Sequence, residues 1–376
     1  MRPATARSVL EAAWRAPGFC VPHAGTYPFQ WLWDSCFHAV VWAELGDERA
    51  VTELRCALDT QSAAGFVPHL TYWGDPEHHA GFWGRALTSS ITQPPMYGHA
   101  VAVCVRQGLV VPDELVARAE AGLRFLLTRR ARTGDGLVAA VHPWETGCDD
   151  SPRWDAWLPA VPAEGDWFAV KGQLVEAVRH DQGDPVASDA FAVGSVGFNA
   201  LVAWNVAELV AVGAAADLVA PAEDLGRRIA GRWDPRRRTW TDGPHPSGAI
   251  RTLDAQLALL VDPRSEGFDD LVDPDAYGAP FGPRGVHPDE PAYRPDRYWR
   301  GPAWPQLTYL LALAARRAGR PAVAAELASN LVAGAERSGV AEYWHPDRGA
   351  GLGARPQSWT TLALVAAGWM GERSGL

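Results

Sequence analysis

Acidic and aromatic side chains crowd the segment 144–154 at a spacing suited to carbohydrate chemistry. Trp144, Glu145, Asp149 and Trp154 set carboxylates and indoles around a Gly-Cys step, where a chain turns before a helix. Cleavage of a glycosidic bond needs a carboxylic acid to protonate the departing oxygen, and indole faces pack against the apolar CH side of a pyranose. The segment therefore indicates a sugar site.

A plain helix start is the alternative interpretation of the same segment. Asp150 or Ser151 at a helix N-cap, followed by Pro152 in the first turn, is a standard N-terminal signal. That interpretation explains these three residues, but it leaves Glu145 and Asp149 without a role.

The tryptophan content favours a binding surface. The chain of 376 residues has 47% hydrophobic and 21% charged residues, so it can bury a core, and it contains 18 tryptophans. Many of them stand beside polar residues between apolar stretches, as exposed binding aromatics do. These are Trp31, Trp33, Trp73, Trp83, Trp144, Trp154, Trp299, Trp304 and Trp344.

Charge and cysteine usage exclude several classes of function. A formal charge of −10 without a dense Lys/Arg cluster argues against nucleic acid as a partner. Five cysteines without paired spacing suggest neither a disulfide framework nor a zinc site. The start of the chain lacks the apolar core of a signal peptide, and the most apolar region, 197–216, is interrupted by polar residues and indicates no membrane span. We expect a soluble, reduced, cytoplasmic protein.

No cofactor is indicated. His78, His79 and His345 lack metal-ligand spacing and are expected to be solvated loop residues, so we expect no metal. There is no phosphate-binding loop and no convincing dinucleotide fingerprint.

Helical periodicity dominates the chain, and strand candidates are few and short. Helices are predicted over Ala4–Ala16, Asp34–Leu45, Ala50–Ala63, Met96–Arg106, Pro112–Arg129, Phe198–Ala215, Pro221–Arg232, Ile250–Leu260, Ala303–Ala318, Pro321–Ala335 and Ser358–Trp369. The segment Ser265–Arg297 is expected to be a long irregular excursion. No domain linker stands out, so residues 1–376 are predicted to form a single domain.

Aromatic and polar clusters recur before roughly every second helix. If helices alternate in direction, these clusters converge at one end of a closed ring, which predicts an all-α fold, the (α/α)6 barrel or six-hairpin toroid. A helical solenoid or an irregular bundle would scatter them instead. The clusters are Tyr27–Asp34, Gly65–Gly74, Thr88–Tyr97, His142–Trp154, Gly194–Asn199, Arg297–Trp304 and Glu342–Trp359.

Four ordered motifs carry a family resemblance. Tyr27–Ser35, Trp144–Arg153, Tyr298–Trp304 and Glu342-Tyr343 together resemble glycoside hydrolase family 63, especially its bacterial mannosylglycerate and glucosylglycerate hydrolases, and more distantly the family 37 trehalases. The similarity extends from about Tyr27 to Thr361. It implies an (α/α)6 barrel that hydrolyses a glycosidic bond with inversion at the anomeric carbon.

The resemblance assigns the catalytic pair. Asp149 matches the general acid, although Cys148 replaces the bulkier residue often found in the trehalases, and Glu342 matches the general base. An inverting site requires carboxyl groups about 6.5–9.5 Å apart, one of which donates a proton while the other activates water. Asp149 would need an environment that keeps it protonated near neutrality, which surrounding indoles could supply by desolvation.

Further residues are assigned to the two sides of the scissile bond. By resemblance, Asp34 binds sugar hydroxyls, with Trp31 and Trp33 as walls, although Asp34 could equally be a helix N-cap. Tyr298 and Trp299 could instead belong to a turn that packs its aromatics into the core. The remaining positions that match the glycosyl pocket are Trp144, Gly147, Trp299, Trp304 and Gln357, and the residues that resemble those holding glycerate are Tyr27, Tyr72 and Gln93.

Several functions stay open. Within the same class, the substrate could be trehalose or a trimmed oligosaccharide instead of glucosylglycerate or mannosylglycerate. A sugar epimerase or isomerase would depend on His69, His99 or His142, and a non-catalytic sugar-binding module would tolerate loss of both carboxylates. The partner expected is a small carbohydrate, with no nucleic acid and no membrane. The chain lacks the extra N-terminal β-domain of the larger family members, so a neighbouring subunit of a homo-oligomer could supply missing walls.

Overall fold

Helices dominate the structure, a computed structural model that describes residues 1–157 and 167–370. Within these residues no helix is both long enough and apolar enough to span a bilayer. The α-helices are α1 (Pro3–Ala13), α2 (Leu32–Glu44), α3 (Arg49–Leu58), α4 (Ala80–Trp83), α5 (Tyr97–Arg106), α6 (Asp113–Thr128), α7 (Trp167–Glu176), α8 (Val196–Val210), α9 (Val219–Ala230), α10 (Ser265–Val272), α11 (Pro305–Arg317), α12 (Pro321–Ser338) and α13 (Ala363–Ala367).

The strands of the described residues are short and pair only in antiparallel two-stranded ribbons, as the sequence predicts. The pairs are β1 (Trp14–Arg15) with β2 (Phe19–Cys20), β3 (Gln30–Trp31) with β4 (Leu70–Thr71), β5 (Val178–Asp181) with β6 (Asp184–Ser188), β7 (Trp233–Asp234) with β8 (Thr239–Trp240), and β9 (Tyr343–Trp344) with β10 (Gly351–Leu352). One of these ribbons, β3 with β4, carries residues that line the site, Trp31 and Leu70.

Six segments form an inner layer. Helix α2 contacts α5, α5 contacts α8, α8 contacts the 3₁₀ helix Leu253–Leu260, which contacts α11, and α11 contacts the 3₁₀ helix Ser358–Leu362, which contacts α2 again. Buried residues occupy most of the circumference of these segments. In α2, for example, every residue from Leu32 to Ala43 is buried.

The outer helices are amphipathic and pack against this layer. Helix α9 buries Ala222, Leu225 and Ile229, which are spaced three and four residues apart on one face, and turns Arg227 and Arg228 to solvent. Helices α3, α6 and α12 likewise contact α2, α8 and α11, although α3 and α6 touch two inner helices each. The connections from an inner segment to the next outer helix are short. The longer loops that precede the inner segments can therefore carry the residues of a site.

Most predicted helices are present, with two kinds of error. The region expected to be irregular, Ser265–Arg297, begins with α10, and α7 was also missed. Both are short, eight and ten residues, so each offers only two to three turns in which a period can be recognised. Conversely, Ile250–Leu260 and the first half of Ser358–Trp369 form tighter 3₁₀ helices, Leu253–Leu260 and Ser358–Leu362.

A buried ion pair anchors the segment that begins the acidic motif. Arg130 Nη1 and Nη2 donate to Glu145 at 2.5 and 3.0 Å, and both side chains are fully buried. The same carboxylate accepts the backbone N–H groups of Thr92 at 3.1 Å and Val141 at 2.8 Å. Glu145 therefore ties three loops together and is structural, which explains the residue that a helix cap left unexplained.

We predict that Glu145→Ala lowers the free energy of unfolding by about 3–5 kcal/mol, because it leaves the Arg130 guanidinium buried without a counter-charge. Urea denaturation followed by circular dichroism measures this. The matched control is Asp189→Asn, which breaks an exposed pair with Arg179 and should leave the midpoint unchanged. An equal response of the two variants would contradict the anchoring role.

Candidate active site

Two adjoining chambers open at the end of the molecule where the loops precede the inner helices. The inner chamber has a volume of about 70 Å³ and the outer chamber about 1320 Å³. Residues common to both linings are Tyr27, Trp31, Gln93, Asp149 and Tyr298. The two chambers are therefore compartments of one site.

The predicted convergence of the loop clusters is largely correct, with one exception. Every cluster except Gly194–Asn199 contributes residues to the chamber linings. Ser195 instead caps α8 by accepting the N–H of Phe198, and Asn199 bonds both backbone groups of Val138. The polar residues of that cluster form hydrogen bonds with backbone groups, so their role is structural.

Glu342 lines the inner chamber and is held by the loop that follows it. Its Oε2 accepts the N–H of Ala354 at 2.9 Å, and Tyr27 donates its hydroxyl to Oε1 at 3.2 Å. Gly353 has a φ of +67°, and a Cβ there would strike the carboxylate of Glu342. This turn therefore requires glycine both for its backbone conformation and for the close approach.

Asp149 lines both chambers. It follows Gly147, whose φ of +72° and contact with the Trp33 indole leave no room for a side chain. The indole of Trp154 donates to the carbonyl of Cys148 at 2.7 Å, and the hydroxyl of Tyr298 donates to Asp149 Oδ2 at 3.1 Å. The acid is thus fixed at the junction between the chambers.

Asp149 differs from its acidic neighbours in its partner. Glu145 is paired with Arg130, and Arg300 donates to both Asp150, at 3.1 Å, and Asp155, at 2.6 Å. Arginine stays protonated and favours an ionised carboxylate beside it, whereas Asp149 is bonded by a phenol. Within this segment Asp149 is thus the carboxyl best placed to exchange a proton.

Burial shifts the proton affinities of the carboxyl groups at the inner chamber. It raises the pKa of Asp149 to about 6, against the charge of Lys171 and the bond from Tyr298. It raises the pKa of Glu342 to about 7, against the Ala354 N–H and the Tyr27 hydroxyl, and the charge of Asp149 adds to the rise. Burial and the charge of Glu342 also hold the pKa of Asp34 well above its usual range. The three carboxyl groups cannot all be charged at little cost.

The other walls of the inner chamber largely match the residues expected to bind the sugar. Trp31, Trp33, Asp34, Gly147, Tyr298, Trp299 and Gln357 line it, together with Pro22 and Trp359, which were not predicted. Trp359 donates its indole N–H to the carbonyl of Glu342 at 3.1 Å. Its place beside Gln357 within an aromatic cluster was the available signal. Asp34 is no N-cap, because α2 begins two residues earlier, at Leu32.

Trp304 does not line either chamber, contrary to the prediction. It is fully buried and stacks on Trp299 with ring centroids 3.7 Å apart and on Tyr343 at 4.5 Å. Trp154 and Trp344, grouped with the exposed tryptophans in the sequence, are also fully buried. Trp304 supports the wall formed by Trp299 from behind.

The outer chamber contains the residues assigned to the leaving group and cationic residues that were not predicted. Tyr27, Tyr72 and Gln93 line it as expected, whereas Trp144, assigned to the glycosyl pocket, lines this chamber and not the inner one. Gln93 accepts the backbone N–H of Trp33 at 3.2 Å, which fixes its amide between the two chambers. Unpredicted lining residues include Phe29, His69, Phe82, Trp83, Lys171 and Arg297, and His78 and His79, expected to be solvated, border this chamber too.

The histidines that an isomerase would need are engaged elsewhere. Burial lowers the pKa of His69 and of His142 to about 3. His69 lines the outer chamber but is bonded to Ser89 at 2.7 Å. His99 lies in a different cavity, bonded at 2.7 Å to Glu208, which also pairs with two arginines. Of the three, only His69 reaches the site, and it is neutral.

A fully buried relay supports the sugar-binding wall. His38 lies one turn after Asp34 on α2 and contacts Glu53 at 2.7 Å and Ser358 at 2.6 Å. Ser358 follows Gln357, so the relay joins two chamber walls. Cys20, His38 and Glu53 place three ligand-type atoms within 4.8 Å, but ligands on one zinc ion lie about 3 Å or more apart, so the 2.7 Å contact is a hydrogen bond.

Comparison with known proteins yields one family and consistent relatives. The model of the mannosylglycerate hydrolase MGH1-like glycoside hydrolase domain matches residues 27–360. The chain is similar to a mannosylglycerate hydrolase of Thermus thermophilus (31% identity over 93% of this chain and 96% of the relative) and to a glucosylglycerate hydrolase of Mycolicibacterium hassiacum (29% identity, 92% of each).

Solved structures agree with these matches. A family 63 mannosylglycerate hydrolase from Thermus thermophilus in complex with Tris and D-glycerate has a TM-score of 0.84, with 28% identity over 97% of this chain and 99% of that chain. The same enzyme in complex with glucose has a TM-score of 0.82, with 30% identity over 97% and 99%. A neutral trehalase from Saccharomyces cerevisiae, at 15% identity over 94% and 74% of the chains and a TM-score of 0.59, shares the fold.

The raised pKa values predict a pH-dependent stability. Between about pH 4 and pH 7 the native protein keeps protons on Asp149 and Glu342 that the unfolded chain releases, so stability falls as pH rises through this window. Glu342→Gln removes one such group and should stabilise the protein by about 1–3 kcal/mol at pH 8, with a smaller effect at pH 4. Thermal denaturation across this range measures it, with the exposed Glu77→Gln as control. A Glu342→Gln variant less stable than the wild type at pH 8 would refute the assignment.

Proposed function

The chain belongs to the mannosylglycerate hydrolase MGH1-like family of glycoside hydrolases, and on that premise we propose that it hydrolyses the α-glycosidic bond of glucosylglycerate or mannosylglycerate with inversion. The observation that carries this proposal is the placement of the two carboxyl groups. Asp149 and Glu342 share the inner chamber, and of the two only Asp149 also borders the outer chamber.

The two chambers correspond to the two sides of the scissile bond. The pyranose enters the inner chamber with its reacting end and extends into the adjoining part of the outer chamber, because about 70 Å³ is less than a whole ring needs. Trp33 and Trp299 pack against its faces, and Asp34 and Gln357 bond its hydroxyls. The leaving group lies in the outer chamber, with the glycosidic oxygen beside Asp149. In this pose Glu342 faces the anomeric carbon from the side opposite the leaving group.

The reaction is a single displacement. Glu342 accepts a proton from a water molecule while the oxygen of that water bonds to the anomeric carbon. At the same time Asp149 donates its proton to the glycosidic oxygen, and the bond between this oxygen and the anomeric carbon breaks. Sugar and the free hydroxyl of the leaving group result, with the configuration inverted. Each carboxyl ends in the opposite protonation state, and proton exchange with solvent restores both.

An anionic leaving group can be bound by the cations of the outer chamber. Lys171 and Arg297 supply positive charge there beside Asp75, Asp150 and Asp296, and Tyr27, Tyr72 and Gln93 supply neutral hydrogen-bonding groups. Relatives that match over most of the chain hydrolyse mannosylglycerate or glucosylglycerate, as their names state. Lys171 is buried whereas Arg297 is exposed, so Lys171 is the cation better placed to bind a carboxylate within the chamber.

The volume of the outer chamber supports a second candidate. At about 1320 Å³ it would admit a sugar as leaving group, so a trehalase or oligosaccharide α-glucosidase activity remains the alternative. An epimerase or isomerase is disfavoured by the buried, hydrogen-bonded state of His69, His99 and His142. A purely sugar-binding module does not account for two carboxyl groups with raised pKa values in one chamber.

We extend the proposal to the fold and setting. The order of contacts among the six inner segments, in which the last touches the first, supports closure into an (α/α)6 toroid. The family match over 27–360 supports a single catalytic domain spanning residues 1–376. Five free, buried cysteines suit the reducing cytoplasm. We retain the expectation that the chain can form a homo-oligomer.

We predict that proton NMR of the purified enzyme with a panel of α-glycosides will show release of the β-anomer from glucosylglycerate or mannosylglycerate. Asp149→Asn and Glu342→Gln should each slow turnover by roughly 10²–10⁴-fold without loss of fold, because each removes one proton-transfer group. The exposed Glu77→Gln variant is the control. Initial release of the α-anomer would exclude inversion, and near-normal turnover by either variant would exclude that residue.

A further inference from the structure

The two catalytic carboxyl groups face opposite charge environments because they face different chambers. Asp149 borders the outer chamber, whose lining includes Lys171, whereas the outer lining does not include Glu342 among the described residues. Lys171 is the only lysine of the chain, and it is 8% exposed. A charge that enters the outer chamber therefore acts more strongly on Asp149 than on Glu342.

A neutral histidine holds Lys171 and the acid loop in fixed relation. His142 Nε2 contacts the backbone carbonyl of Lys171 at 3.2 Å, and its Nδ1 accepts the N–H of Trp144 at 3.1 Å. The Lys171 ammonium lies 5.3 Å from the centre of the Trp144 ring. Because burial keeps the pKa of His142 at about 3, this link does not titrate over the working range.

Among the described residues, most charges around this pair are matched by an opposite charge. Asp150 and Asp155 share the guanidinium of Arg300, and the hydroxyl of Tyr298 donates to Asp149. Asp150 and Asp149 act on Lys171 as attractive charges and Arg300 as a repulsive one. The outer lining also contains Asp75, Asp296 and Arg297, which are exposed. On the inner side, Glu342 is faced by the Tyr27 hydroxyl, the Ala354 N–H and the charge of Asp149. Within the part of the chain that the structure describes, Lys171 is therefore the leading cation that acts on Asp149.

The empty site does not commit a shared proton to the acid. Burial raises the pKa of Asp149 to about 6 and that of Glu342 to about 7, so the two groups, which share the inner chamber, hold a single proton with similar affinity. An inverting reaction needs that proton on Asp149. A feature of the bound state that raises the pKa of Asp149 more than that of Glu342 would place the proton there.

We propose that Lys171 makes the protonation of Asp149 depend on the charge of the leaving group, so that a bound carboxylate neutralises Lys171 and thereby places the proton on the acid. This inference rests on the proposed function, since it requires an anionic leaving group in the outer chamber. Lys171 then has two roles. It binds the carboxylate of the leaving group, and through its charge it determines whether Asp149 holds the proton.

The physical basis is one added negative charge. In the empty site the Lys171 ammonium lowers the pKa of Asp149. A carboxylate paired with that ammonium offsets its effect on Asp149, and a charge within about 4–6 Å shifts a carboxyl pKa by about 1–3. Since Glu342 does not border the outer chamber, its pKa changes less, and the shared proton moves toward Asp149. A neutral leaving group of the same shape cannot produce this shift.

The kinetic test compares glucosylglycerate with its neutral analogue glucosylglycerol, using the wild type, Lys171→Met and Lys171→Arg. In the wild type, kcat for glucosylglycerol should be about 10-fold or more below kcat for glucosylglycerate at pH 7.5. The alkaline limb of the pH profile of kcat should also lie at lower pH for glucosylglycerol than for glucosylglycerate. Lys171→Met should raise kcat for glucosylglycerol and move that limb upward, while it raises KM for glucosylglycerate. Lys171→Arg keeps the charge and should retain the wild-type pattern.

The outcomes separate this role from a structural one. The proposal is overturned if Lys171→Met lowers kcat equally for both substrates and leaves the limbs of both pH profiles unchanged. It is also overturned if the substitution changes only KM for glucosylglycerate. A melting temperature equal to that of the wild type shows that the variant is folded.

Binding of D-glycerate tests the same idea without turnover. Titration calorimetry at pH 7 in two buffers of different ionisation enthalpy should show uptake of about half a proton or more per glycerate by the wild type, and less by Lys171→Met. Binding without proton uptake, or no binding, overturns the charge dependence. Failure of the proposed function shows differently, as absence of sugar release from both glycosides by the wild type.

Discussion

The cost of placing Asp34, Asp149 and Glu342 in one small, largely dry chamber governs the rest of this site. Each carboxylate would be comfortable in water, and burial penalises its charged form. Hydrogen-bond donors offset this cost to different extents. Asp149 accepts one bond from a phenol, whereas Glu342 accepts one from a phenol and one from a backbone N–H. The result is a set of groups whose protonation responds to small changes in their surroundings, as acid–base catalysis requires.

Arginine has the opposite task around this chamber. Arg130 fixes Glu145, Arg300 fixes Asp150 and Asp155, and Arg153 bonds Asp254 and pairs with Asp242 at 2.9 Å. Within the acidic segment, permanent cations hold Glu145, Asp150 and Asp155 in structural pairs and leave Asp149 as the acid whose proton can move. Asp242 differs from these acids, because burial raises its pKa to about 7 beside Arg153. The acids of this segment are close neighbours in sequence, and their partners distinguish them. The acids paired with arginine are structural, whereas the acid bonded by tyrosine is the candidate for proton transfer.

Sequence reasoning selected Asp149, Glu342 and most of the residues that line the inner chamber, because these residues lie in compact motifs in or beside the loops. It missed Lys171, which lies in a short helix without a motif and reaches the chamber through the fold. It misplaced Trp304, because sequence spacing does not show whether an aromatic faces a cavity or a second ring behind it. The contact between Arg300 and Asp150 spans 150 positions, so the distinction between paired and unpaired acids also required coordinates.

The lone lysine has a practical side. Reagents that couple to side-chain amines find a single ε-amino group in this chain, and it lies within the substrate cavity. The five thiols are buried and offer little alternative for attachment. An amine reagent small enough to enter the cavity would thus modify the enzyme where it works, whereas a resin or surface support could not reach this group. Immobilisation would therefore have to proceed through an appended tag or through carboxyl groups on the outer helices.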